Sequence, residues 1–322
     1  MKSDTFHPDL MREVAKLYYY EDLTQDKIGE VVGISRQKVW RILKQAREEG
    51  LVQIKIVESS DKLSLIETRL QEKYGLKEAK IAVSFSENEK ILFKRVAQVA
   101  ASYIKNRIEP YATLGVAYGK TIFEMTHYLT PKSIPGLRVV QIMGGYGKLK
   151  GDVMAVELAR RIADNFDGQV VYLMAPAFAK DQTTRDAIMS NEGVLKVLDM
   201  SRKADVALVG IGGVSETSTL LDTGDLNDYE IEELRRKKVV GNICGNFYDE
   251  SGAIVETLTD KRKISISLQD LRRIPIVIGV AGGKNKLLPI QGALNGKFIQ
   301  VLITDDLTAS RLMRSEDASY HS

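Results

Sequence analysis

Two sets of side chains in this 322-residue chain have the types and spacing to do chemistry on another molecule. The first is Ser35, Arg36, Gln37, Lys38, Arg41 and Lys44, within GISRQKVWRILKQAR. Arginine matches the acceptor edge of guanine and glutamine matches adenine, whereas lysine and a helix N-terminus suit phosphate oxygens. No acid interrupts the run from Arg36 to Arg47, although residues 1–57 as a whole hold ten Lys/Arg and nine Asp/Glu. The positive charge is therefore placed rather than general, and it lies where a helix docking on double-stranded DNA would need it. The second set is dispersed: Gly119, Lys120 and Thr121; Gly144 and Gly145; Gly212 and Gly213; Asn242 and Asp249; Gly283, Asn285 and Lys286. Glycine lets backbone N–H groups approach a ligand, lysine offers a point charge to phosphate, and Thr, Asn and Asp suit hydroxyl groups. The ligand that fits such a set is small, polyhydroxylated and anionic. Asn242 in a turn and Asp249 as a cap are the structural alternatives.

Catalytic and metal chemistry finds little in the chain. His7, His127 and His321 are scattered, with no second ligand at zinc spacing, so no metal and no cofactor is expected. Asp249 or Glu157 could act as a base in a sugar-phosphate isomerase, but no paired acid and base stand out. Lys148 and Lys150, beside GGYG, could form a Schiff base with an open-chain sugar. GVAYGKT lacks Walker A spacing, because Gly115 to Gly119 encloses three residues rather than four, and no strand runs into GxGxxG. Cys244, the single cysteine, excludes an internal disulfide framework, fits a reducing cytoplasm and reads as a small buried residue rather than a nucleophile. MKSDTFHPDL has no apolar core of a signal peptide, and no apolar run approaches the roughly 20 residues of a membrane span. The net charge of +3 excludes nothing by itself.

The basic set needs two crossing helices to carry it. Thr24 and Ser35 stand where N-caps belong, and Gly33 between them permits the positive φ of a sharp turn. Ile28, Val32, Ile34, Val39 and Ile42 supply an apolar seam, with Gly29 small at the crossing point. MREVAKLYYYEDL, with Val14, Leu17 and Tyr18 on one face, predicts a supporting helix. AREEGLVQIKIV predicts a helix end at Gly50 and an alternating strand, as in a winged helix-turn-helix over residues 1–57. Trp40 admits two placements, packed on the supporting helix or against sugar and phosphate. Residues 58–77 predict a linker helix, whose stripe Leu63, Ile66, Leu70 and Tyr74 is either core or a seam to a sister subunit.

The dispersed set needs a sheet. From residue 78 to 315 the apolar runs KIAVSF, TLGVAYG, RVVQIMGG, QVVYLMAP, DVALVGIGG, PIVIGVAGG and FIQVLITDD alternate with helical stretches. That alternation predicts an α/β domain with a mostly parallel sheet covered on both faces, and ligands bind such sheets at the carboxyl ends of the strands. Pro289 is expected in the first turn of its helix. Residues 316–322 read as a tail.

Four stretches, LTQDKIGEVVGISRQKVWRILKQAREEGLVQIKI, DVALVGIGGVS, GNICGNFYDESG and VIGVAGGKNKLLPIQGALNGKFIQVLITDDLTASRLM, resemble the SorC/DeoR-type family of sugar-responsive bacterial transcriptional regulators. The resemblance runs over most of the chain. It implies a DNA-binding head joined to an effector domain related to sugar-phosphate isomerases, a homo-oligomer (a tetramer), and control of a carbohydrate-catabolic operon by a sugar or sugar phosphate rather than enzymatic turnover. It places Lys286 on the family's phosphate-contacting lysine and Thr121 in its first ligand loop. Asn242 departs from the pattern, where relatives commonly carry Asp or Glu, and Trp40 replaces a small polar residue. The effector and the operator sequence therefore do not carry over. An isomerase with an accessory DNA-binding head is the alternative.

Overall fold

The computed structural model describes residues 6–52, 60–84, 88–146, 149–214, 220 and 224–314, apart from the side chains of 60–62 and 149–153. The chain divides into two compact units, Met1–Ser60 and Asp61–Ser322.

The first unit is three helices around one small core. Helix α1 (Pro8–Tyr19) starts with proline in its first turn, and the His7 ring accepts from the Asp9 amide. Helix α2 (Gln25–Val32) is capped by Thr24, whose hydroxyl accepts from the Lys27 amide at 3.4 Å. Gly33 ends it at φ +71° and turns the chain into α3 (Arg36–Glu48), capped by Ser35 accepting from the Lys38 amide at 3.3 Å. Met11, Val14, Ile28, Val39, Ile42, Leu43 and Ala46 fill the centre. Gly29 is required by close approach: a Cβ there would stand 2.6 Å from the Ile34 carbonyl oxygen. Trp40 is not in this core, since half of it is exposed. The expected wing strand falls mostly on residues 53–57, outside the described residues.

The second unit opens within helix α4 (Ser60–Tyr74), whose first residue ends the first unit. The stripe of α4 packs on the second unit's own core, with Leu70 fully buried and Leu63, Ile66 and Tyr74 partly so. Seven strands follow: β1 (Glu78–Ala82), β2 (Thr113–Val116), β3 (Arg138–Gln141), β4 (Gln169–Val171), β5 (Val206–Gly210), β10 (Ile276–Val280) and β11 (Val301–Asp305). They form one sheet in the order β1-β11-β10-β5-β2-β3-β4, with every pairing parallel. These are the seven apolar runs seen in the sequence. Apolar cores cover both faces, as a parallel sheet requires. The strand order reverses between β2 and β5: from β2 the chain winds outward to β4, then returns and winds the other way to β11. That reversal leaves a crevice at the carboxyl ends of the central strands.

A second sheet was not expected. β6 (Gly212–Gly213), β7 (Gly241–Ile243), β8 (Asn246–Tyr248) and β9 (Ile254–Val255) pair antiparallel in that order. Strands of two and three residues carry no readable alternation. The turn between β7 and β8 does carry a signal: Cys244 at φ +53° and Gly245 at φ +68° form the two-residue hairpin loop whose twist matches paired strands.

Candidate functional site

On α3 the apolar residues Val39, Ile42, Leu43 and Ala46 turn inward, so the 3.6-residue period turns the remainder outward. Ser35, Arg36, Gln37, Lys38, Arg41 and Lys44 are all exposed. Their ion pairs are long and solvent-washed: Arg36 to Asp26 at 3.7 Å and Lys44 to Glu48 at 3.7 Å. Such pairs contribute little to folding and exchange readily for phosphate oxygens. Lys44 Nζ lies 5.6 Å from the centre of the Trp40 ring.

In the second unit a cavity of about 290 Å³ opens over the carboxyl ends of β2, β5 and β10, at the reversal point. Three glycine-bearing loops line it. After β2 come Gly119, Lys120 and Thr121; after β5, Gly210 to Gly213; after β10, Gly282, Gly283, Asn285 and Lys286. Gly283 has φ +103°, and a Cβ on it would meet no atom within 4 Å. Its amide nitrogen donates to Asp305 Oδ2 at 2.7 Å and to Thr308 Oγ1 at 3.1 Å. The fully buried Asp305 carboxylate also accepts from the Thr308 amide at 2.8 Å and its hydroxyl at 2.6 Å. The end of β11 thereby fixes the loop that carries Lys286.

The lining holds both polar and aromatic side chains. Burial, and then the neighbouring Lys120 ammonium, hold the Lys286 amine down at about 8. Asn242, on β7, is buried, and its amide nitrogen has no hydrogen-bond partner. Tyr118 and Tyr146 meet edge to face with ring centres 6.0 Å apart. Cys244 completes the wall from the hairpin turn; burial pushes its thiol up to about 12, which leaves no thiolate at neutral pH. A cavity with two lysines and an unsatisfied amide favours an anion with several oxygen atoms.

Of the sequence-derived set, Gly119, Lys120, Thr121, Gly212, Gly213, Asn242, Gly283, Asn285 and Lys286 meet at this cavity. Gly144, Gly145 and Asp249 do not. Gly144 lies beyond the reversal point at the end of β3, and the space a side chain would take is filled by the Pro176 carbonyl. Gly145 is tied beside it, its amide donating to the Ala175 carbonyl at 3.0 Å. Asp249 serves as the cap that was its alternative, accepting from the Ser251 hydroxyl at 2.7 Å and the Ala253 amide at 2.9 Å. These bonds hold its carboxyl below the usual range. Glu157, the other possible base, accepts from Arg160 and Arg161 away from the cavity and is held down to about 2. Lys148 and the side chain of Lys150 lie outside the described residues. Asp305 and Thr308 escaped the sequence reading, although an acid ending a strand and followed three residues later by threonine is a cap pattern.

Residues 59–314 match the family described as "Putative sugar-binding domain", and residues 8–49 match "Sigma-70, region 4". The deoxyribonucleoside regulator of Bacillus subtilis (strain 168) is 32% identical over 94% of this chain and 96% of its own length. This chain belongs to the SorC/DeoR-type family of sugar-responsive bacterial transcriptional regulators. Among other members, the sorbitol operon regulator of Klebsiella pneumoniae is 31% identical over 95% of this chain and 98% of its own length. The crystal structure of full-length SorC from Klebsiella pneumoniae superposes with a TM-score of 0.80 at 30% identity, covering 96% of this chain and all of that one. Within this SorC/DeoR-type chain, the head and the cavity map onto the two matched segments.

Proposed function

We propose that the protein regulates a carbohydrate-catabolic operon by binding double-stranded operator DNA through α3, with an affinity set by a phosphorylated sugar in the cavity. The observation that carries the effector half is the meeting of Lys120, Lys286 and the partnerless Asn242 amide over the strand reversal. Thr121 and Asn285 face the same space. In this reading Lys286 receives the phosphate, and Asn242 receives a sugar oxygen. The DNA half rests on the exposed basic face of α3 in a head whose core is complete without it. The assembly is a homo-oligomer, a tetramer in the resemblance, because an operator of paired half-sites needs paired heads. The protein works in the cytoplasm and binds its sugar without turning it over. Both carboxylates that might have served as bases are engaged elsewhere, and no helix among the described residues is long and apolar enough to cross a membrane.

The test is a thermal-shift panel in which each sugar phosphate stands beside its free sugar. One phosphate is expected to stabilise the protein selectively, by roughly 2.7 kcal/mol at about 100 times Kd. The same compound should change operator affinity in fluorescence anisotropy. Stabilisation by free sugars alone would remove Lys286 from the phosphate role. Steady release of a sugar isomer, followed by NMR, would restore the isomerase.

A further inference from the structure

Trp40 is the one large hydrophobic side chain on α3 that is exposed, with 51% of it in water. It does not complete the small core, which is filled by Met11, Val14, Ile28, Val39, Ile42 and Leu43. Half exposed, the indole leaves in water about half of the roughly 150–250 Å² that a tryptophan can bury, and that surface is open to a partner. Its position identifies that partner. Arg36, Trp40 and Lys44 are spaced i, i+4 and i+8, on one edge of the outward face. The Arg36 and Lys44 side chains are 69% and 53% exposed, and Gln37 and Arg41 complete the same face. An aromatic ring bracketed by cations matches a surface with an apolar feature set among negative charges. In the major groove that feature is the 5-methyl group of thymine, the one apolar group that base edges present there.

We propose that Trp40 is a specificity-determining residue that reads thymine methyl groups in each operator half-site. This rests on the reading of α3 as the recognition helix. The cations on either side position the helix on phosphates, and the indole supplies the apolar part of the code that arginine and glutamine lack. Lys44 Nζ, 5.6 Å from the ring centre, is placed to bridge the indole face and a phosphate.

The probe is a duplex enriched by the full-length protein from a random-sequence library. Thymines are replaced one at a time by deoxyuridine, which removes the methyl group and leaves the base pairing intact. Binding is measured for the parent, Trp40→Ala, Trp40→Phe and Arg41→Ala. At one thymine per half-site, deoxyuridine is expected to weaken the parent roughly fourfold, the worth of one buried methyl-sized group. Trp40→Ala should bind the thymine duplex at least that much more weakly and should no longer distinguish deoxyuridine, so the two changes are non-additive. Trp40→Phe should keep part of the discrimination. Equal losses for Trp40→Ala on the enriched and on unrelated duplexes would place the indole against the sugar-phosphate backbone and overturn the proposal. A changed oligomeric state of Trp40→Ala in light scattering would overturn it too, by placing Trp40 in a protein contact. If Trp40→Ala alone binds like the parent, the methyl reading fails while the recognition helix stands. If Arg41→Ala is also silent, or no duplex is enriched, the DNA reading of α3 fails, and this proposal with it.

Discussion

In the function proposed, the head and the cavity would recognise anions by opposite designs. The head presents its cations in water, with ion pairs of 3.7 Å, in front of a small apolar core. The cavity gathers Lys286 beside Lys120, leaves the Asn242 amide nitrogen without a partner, and holds Gly283 at φ +103°. The first surface is ready to bind, and its charges cost the folded state little. The second holds an amine disfavoured by burial and by a like charge, which an anionic ligand would relieve. A ligand that relieves tension in one arrangement of the loops more than in another shifts a population between the two, which is what an effector must do.

The comparison predicts that the two regions fail separately. The largest effect is expected for Gly29→Val. Its added carbon would meet the Ile34 backbone at 2.6 Å, and backbone cannot step aside as a flexible side chain can. Overpacking of this kind costs about 3 kcal/mol, so depopulation of the folded head lowers operator affinity by up to ~100-fold while sugar-phosphate stabilisation of the second unit persists. Calorimetry would show it, and loss of both responses together would mean that the head and the cavity are not separable. Next in size is Lys286→Gln. Losing a charged bond to phosphate costs about 3 kcal/mol, so effector affinity should fall ~100-fold, with operator affinity in the absence of effector within about twofold of the parent. Unchanged effector affinity in titration calorimetry would move the phosphate elsewhere.

The same contrast explains what the sequence disclosed. Thr24, Gly33, Ser35 and the apolar seam of the head lie within one short stretch, and each position is dictated by helix geometry, so caps, turn and outward face could be read in order. The seven apolar runs likewise announced the parallel sheet. The cavity joins Lys120, Asn242 and Lys286 across more than half the chain, and only the strand order brings them together. Glycines at strand ends suggested where to look. They could not separate Gly212 and Gly283, which border the cavity, from Gly144, which makes room for the Pro176 carbonyl. Asp249 misled because a carboxylate in a turn and one in a site look alike until its bonds to Ser251 and Ala253 are seen. Asp305 stayed hidden because it acts from behind the loop it holds.

Asp305→Asn tests that support. It keeps the shape of the side chain and removes the charge that draws in the Gly283 amide and Thr308. A charge-assisted bond reduced to a neutral one loses about 1.4 kcal/mol, so effector affinity should fall ~10-fold. Exchange of the Gly283 amide, followed by hydrogen–deuterium exchange, should quicken. Faster exchange with full affinity would show that the loop need not be held for binding.

The smallest effect is the most specific, because only a tense cavity produces it. In the folded protein Lys286 gives up its proton near about 8, whereas in the unfolded chain it keeps it to the ordinary 10.5. Between these values the unfolded state binds more protons, so this residue makes stability rise with pH across the window. Below about 8 both states are protonated, and the destabilisation is complete and constant. A bound phosphate reverses the causes of the shift by supplying an opposite charge beside both lysines. The folded amine then holds its proton to higher pH, binding takes up a proton near pH 8 to 9, and effector affinity weakens as pH rises through that range. Calorimetry at pH 8.5 in two buffers of different ionisation enthalpy would show the uptake, and Lys286→Gln should abolish it. Buffer-independent heats would mean that the phosphate does not sit against Lys286. Proton uptake that vanishes with Lys286 is what would mark a cavity completed by its anion rather than a surface already prepared for one.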